Sequence, residues 1–127
     1  MSNLFEKNKN KNILVDLDGT LVTHFKGPYK PGVYGDPVWP MINAAKRAIT
    51  CGHTVKIFTA RMDNDEATQA LEANAIMDLC RQWGLVDANG NAPSVTNKKD
   101  KFTWRIWDDR ARSIVQDKGV VGYLDLW

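Results

Sequence analysis

Cysteine and histidine are scarce in this chain. Two cysteines, Cys51 and Cys80, and two histidines, His24 and His53, stand in 127 residues. The cysteine spacing suggests no metal knot, and the pair reads as reduced thiols of a cytoplasmic protein. The histidines have no partner at ligand spacing and read as surface or flap residues. No apolar run approaches membrane-spanning length, so no membrane partner is expected. Residues 1–11 are polar and rich in Lys and Asn, without the apolar core of a secretion signal. They read as a flexible, solvated tail ahead of a single domain over 12–127. A net charge of +2 is too small to argue for nucleic acid by itself. There is no repeat, low-complexity block or internal linker. What remains, 43% hydrophobic and 25% charged, is the composition of a soluble globule with one core.

Against that plain background one segment stands out. Ile13-Leu14-Val15-Asp16-Leu17-Asp18-Gly19-Thr20-Leu21-Val22 is an apolar run of strand length that ends in two carboxylates two positions apart. Residues two apart in a strand project to the same side. Two such carboxylates repel unless a cation lies between them or one is protonated. Gly19 permits a sharp turn at that point.

The rest of the chain reads as an alternation of strands and helices. A strand over 12–16 is followed by a Gly/Pro-rich flap over 23–36, which cannot form a long helix. Helical spacing over Pro37 to Cys51 stops at Gly52. Thr54 to Phe58 is a strand. Asp63 and Glu66 fit a capping box, opening a helix through Ala67, Leu71, Ala75, Met77, Leu79 and Trp83 to Gly84. Pro93 to Thr96 is a short strand, and Trp104 to Trp107 another, in which Arg105 interrupts the apolar run. Arg110 to Lys118 reads as a short helix and Val120 to Tyr123 as a last strand. The alternation predicts a small Rossmann-like α/β/α domain with a central parallel sheet and helices on both faces. Ligands in such folds bind at the carboxyl ends of the strands. Three ends present polar groups there: Asp16 and Asp18, Thr59 and Arg61, and Asp108 and Asp109. An all-oxygen cluster of this kind favours Mg²⁺ over zinc or copper.

At this point the chain resembles the haloacid dehalogenase (HAD) superfamily, phosphatases that work through an aspartyl-phosphate. The resemblance rests on Asp16-Leu17-Asp18-Gly19-Thr20-Leu21, on Thr59 after Val55-Lys56-Ile57-Phe58, and on Asp108-Asp109 after Ile106-Trp107. Gly35-Asp36-Pro37, Ile57-Phe58-Thr59-Ala60-Arg61, Val95-Thr96-Asn97-Lys98-Lys99-Asp100 and Trp107-Asp108-Asp109-Arg110-Ala111 are similar to a compact, cap-less subgroup from bacteria and their viruses. The resemblance implies a Mg²⁺-dependent phosphomonoester hydrolase. Asp16 would be the nucleophile, Asp18 the general acid and base, and Thr59 a hydrogen-bond partner of a phosphoryl oxygen. A lysine would neutralise the transferring group. Lys98, Lys99 and Lys101 compete for that role, the subgroup pattern selects Lys99, and no proline follows it as is usual in the family. The metal would be held by Asp16, Asp18 through its backbone carbonyl, and Asp108, with Asp109 orienting a metal water or the lysine. Gly19, Thr20, Ala60 and Arg61 would line the substrate. Arg61 has a second reading, as the partner of a nearby acid.

A site without a cap is open, which suits a phosphorylated small molecule, a nucleotide or a nucleic-acid end, or cover from a second subunit. Trp39 and Tyr29 are candidates to stack on a base or sugar ring. Trp83 and Trp107 read as core, and Asp63 and Asp65 as caps. Two alternatives stand beside the enzyme: a non-catalytic phosphoacceptor domain, and a nucleic-acid-binding module using Lys7, Lys9, Lys11 and the Lys98 to Lys101 cluster.

Overall fold

A computed structural model describes residues 11–99, 103–107, 114–115 and 120–121. Four parallel strands form one sheet in the order β3-β2-β1-β4: β1 is Asn12–Asp16, β2 Thr54–Phe58, β3 Ser94–Thr96 and β4 Thr103–Trp107. Helix α1, Trp39–Thr50, joins β1 to β2, and α2, Glu66–Trp83, joins β2 to β3. Among the described residues no helix is long and apolar enough to cross a membrane.

Each element follows from its residues. In β1, Ile13, Leu14 and Val15 are all fully buried, the unbroken apolar run of a parallel strand covered on both faces. Ile13 and Val15 join Ile42, Ala45 and Ala48 of α1, Val55 and Ile57 of β2, and Ile76, Cys80 and Trp83 of α2 in one core. Burial pushes the Cys80 thiol up to about 12, so it stays an inert core group. Helix α2 ends at Gly84, whose φ of 74° is the left-handed conformation that glycine adopts without strain. Strand β4 lies at an edge of the described sheet, beside β1 only, which accounts for the half-buried Arg105 in its middle.

Several expectations need correction. After β4 the sequence predicts a helix over Arg110 to Lys118, of which only residues 114–115 are described, and a further strand of the sheet over Val120 to Tyr123, of which only 120–121 are. Instead β5, Ile114–Val115, pairs antiparallel with β6, Val120–Val121, in a separate two-stranded ribbon. All four residues are β-branched, which favours extended backbone over helix. Asp63 is not the cap of α2. Residues Ala60–Met62 first form a 3₁₀ turn, and Asp65 then caps the helix by accepting from Thr68 N–H at 2.8 Å. That bond holds the Asp65 carboxyl below its usual range. His53 is not on the surface: a tight turn at Gly52 folds it back onto α1, where its N–H donates to Ala48 O at 3.0 Å. The buried face of α2 is Glu72, Ile76, Cys80 and Trp83, whereas Leu71 is 65% exposed.

The flap over 23–36 is anchored at its base. Thr23 N–H donates to Asp36 O at 2.8 Å, and Asp36 N–H returns a bond to Thr23 Oγ1 at 2.9 Å. Gly35 is required here, because a Cβ would meet Thr23 O at 2.1 Å.

Candidate active site

The strand order places the site. From β1 the chain runs outward through β2 and β3, then returns to β4 on the other side of β1. The carboxyl end of β1 is therefore the switch point at which open α/β sheets bind ligands. Register brings the relevant ends level: Asp16 pairs with Phe58, and Val15 with Trp107. Asp16 and Thr59 thus share one edge, and β4 ends there too. Asp108 and Asp109 follow Trp107 in sequence but lie outside the described residues, as does Lys101.

After Asp16 the chain turns tightly. Gly19 has a φ of 84°, and its N–H donates to Val22 O at 2.7 Å. Thr20 is 6% exposed, and its Oγ1 has no hydrogen-bond partner among the described residues. A buried hydroxyl left in that condition is rare in a finished site. Thr59 is 2% exposed and accepts from Arg61 N–H at 3.1 Å.

Arg61 organises the rest. Its Nε donates to Asp18 Oδ2 at 2.8 Å and its Nη2 to Asp18 Oδ1 at 3.0 Å, the bidentate fork that suits a carboxylate. Nη2 also reaches Val33 O at 2.9 Å, and Nη1 reaches Lys30 O at 3.4 Å and Glu72 Oε1 at 3.3 Å. The Tyr34 and Tyr29 ring centroids lie 4.6 and 5.2 Å from its Cζ, within cation–π range. Burial opposes the Arg61 charge, but the hydrogen bonds and charges of Asp18 and Glu72 outweigh it and hold the guanidinium above its ordinary value.

Glu72 is the residue that sequence reasoning missed. It is fully buried on the apolar face of α2. Its carboxylate accepts from Tyr29 Oη at 2.9 Å, Gly32 N at 3.2 Å and Tyr34 Oη at 3.0 Å, besides Arg61. A buried carboxylate needs such company, since an unpaired one costs several kcal/mol, roughly, in desolvation. The network therefore fastens the tip of the flap to α2 and to the exit of β2. A signal existed in the sequence: a carboxylate one turn ahead of Ile76, in line with Cys80, breaks an apolar stripe.

The two phenols carry a testable consequence. Burial and then the Glu72 charge push Tyr34 up; burial and then the Glu72 hydrogen bond push Tyr29 up. A folded-state value raised above that of the unfolded chain gives stability that is complete below about pH 10 and is lost as pH rises beyond it. Resistance to denaturant unfolding should therefore weaken above about pH 10. Tyr34→Phe should lose part of that dependence, at a cost of about 0.5–1.5 kcal/mol at neutral pH. Ultraviolet titration that finds Tyr34 ionising at its ordinary value would contradict the network.

Ala60 is exposed at the mouth of the site. Asn97 Nδ2 donates to Asp63 Oδ1 at 2.6 Å, tying the segment after β3 to the exit of β2. Lys98 and Lys99 sit on that segment, both exposed, and neither ammonium has an ionic partner among the described residues. Trp39, expected near the mouth, is 47% exposed at the start of α1 and does not line the cleft beside Asp18.

The donors offered at the exit of β1 are oxygens, as a hard cation requires. Both carboxylate oxygens of Asp18 are engaged by Arg61. Among the described residues no group of three or more His, Cys, Asp or Glu forms a metal cluster. No protein-family model matches this chain, and no curated protein or solved structure does.

Proposed function

We propose that the chain is a Mg²⁺-dependent phosphomonoester hydrolase of the HAD type, on a cap-less Rossmann-like core. The observation that supports it most is the convergence of Asp16, Asp18 and Thr59 at the switch point of the parallel sheet, in the order and at the edge the chemistry needs. In this reading an Asp16 carboxylate oxygen attacks phosphorus. The bond to the leaving oxygen breaks, and Asp18 supplies that oxygen with a proton. Water then attacks the acyl phosphate, Asp18 takes a proton from it, and the bond between phosphorus and Asp16 breaks to release inorganic phosphate.

Asp16, the Asp18 carbonyl and Asp108 would hold the cation, which shields the Asp16 charge from the dianion it attacks. The residues have further tasks. Thr59 and Lys99 serve the phosphoryl oxygens. Arg61 holds Asp18 at rest. A phosphoryl group arriving at Asp16 brings oxygens that fit the same guanidinium fork, and exchange of partners frees Asp18 to take up a proton from solvent and pass it to the leaving oxygen. Asp18 is 27% exposed, so it can meet a leaving group.

The test is hydrolysis of an aryl phosphate. Activity should require Mg²⁺, vanish with EDTA and return with added Mg²⁺. Full turnover in metal-free buffer would remove the metal from the proposal, and no turnover of any monoester would remove the reaction.

A further inference from the structure

The flap and the exit of β2 enclose a cleft of about 400 Å³ lined by Asp18, His24, Phe25, Tyr29, Arg61 and Asn64, among others. A volume in that range holds a small molecule, not a polymer track. The two aromatic rings are open to it: Phe25 is 41% exposed and Tyr29 is 50% exposed. Exposed rings on a loop often mean little, but the stretch of this loop from Tyr29 to Val33 is fixed. Tyr29 is held at its hydroxyl by the fully buried Glu72, and Arg61, 8% exposed, binds the neighbouring backbone at Lys30 and Val33. The ring is thus positioned before any ligand arrives, which lowers the cost of binding. Asn64 spends its amide nitrogen on Arg61 O at 3.0 Å and on Tyr29 Oη at 3.4 Å, so what it offers the cleft is its carbonyl oxygen.

Asp18 stands at the wall of this cleft. If Asp18 protonates the leaving oxygen, the group attached to that oxygen lies in the cleft, against the rings. We infer that the substrates are phosphomonoesters whose leaving group carries a flat, nucleoside-sized ring, received between the Phe25 and Tyr29 side of the flap and Asn64. The inference rests on the phosphatase reading and assigns its substrate class.

Adenosine 5′-monophosphate and ribose 5-phosphate isolate the ring, because both lose phosphate from a primary alcohol and only one carries a base. The kcat/KM ratio should favour the nucleotide by about tenfold or more, the scale of one stacked base, and Phe25→Ala should cut that ratio by about tenfold. A second readout needs no turnover. In the Asp16→Asn protein, calorimetry should show the nucleotide binding about tenfold tighter than the sugar phosphate, with Phe25→Ala removing most of the difference. Equal ratios, a ratio unmoved by Phe25→Ala, or hydrolysis of an aryl phosphate with neither of these esters cleaved would overturn the inference while leaving the phosphatase intact. Failure of every monoester to react, with nucleotide binding still tighter, would overturn the phosphatase and keep the ring site.

Discussion

Asp16→Asn should abolish turnover while the protein folds and still binds phosphate esters. The amide keeps the shape of the side chain and a hydrogen-bonding oxygen, but it cannot form the acyl phosphate. Asp18→Asn acts on a different step. It keeps the nucleophile and removes the proton carrier, a loss on the order of 10²–10⁴ in rate. Steady-state assays with an aryl phosphate separate the two. An aryl leaving group needs little protonation, so Asp18→Asn should suffer less with it than with an alkyl ester. An Asp16→Asn protein that retains wild-type turnover would move the nucleophile elsewhere.

Glu72→Ala should cost the fold about 3–5 kcal/mol, the usual penalty for removing one partner of a buried pair. It would leave the Arg61 guanidinium buried with less countercharge, and two phenols and the Gly32 N–H without their acceptor. A small domain has roughly 5–15 kcal/mol in all, so the melting temperature should fall by on the order of 10 °C or more. Arg61→Met combined with Glu72→Leu should recover part of the loss, because well-packed apolar groups commonly replace a buried ion pair at little cost. A loss under about 1 kcal/mol in Glu72→Ala would mean that the flap is not fastened through this carboxylate.

The parallel core was legible because its signals are local. The run from Ile13 to Val15 is buried on both faces, and the strand bounds and the helix ends at Gly52 and Gly84 follow from β-branched runs and turn glycines, whereas the start of α2 does not, because a 3₁₀ turn comes between β2 and its cap. The edge that carries Asp16 and Thr59 follows from parallel topology alone. The clamp was not legible, because Glu72 lies 40 residues from Gly32 and 43 from Tyr29 in the chain. Nothing local links a helix carboxylate to a loop tyrosine. The phase of α2 misled for a related reason: Ala67, Leu71 and Ala75 form a plausible stripe, but the true face begins with a charged residue whose burial only the flap explains. Arg61 was read both as substrate contact and as partner of an acid. Its acid partner proved to be Asp18, a residue of the proposed reaction itself.

The central claim is that Asp16 carries the phosphoryl group. Acid quenching during turnover of a radiolabelled monoester, followed by peptide mapping, tests it most directly. The account predicts a hydroxylamine-labile label on the peptide containing Asp16, accumulating in Asp18→Asn and absent in Asp16→Asn. Turnover with no protein-bound label, or a label that persists in Asp16→Asn, would contradict it.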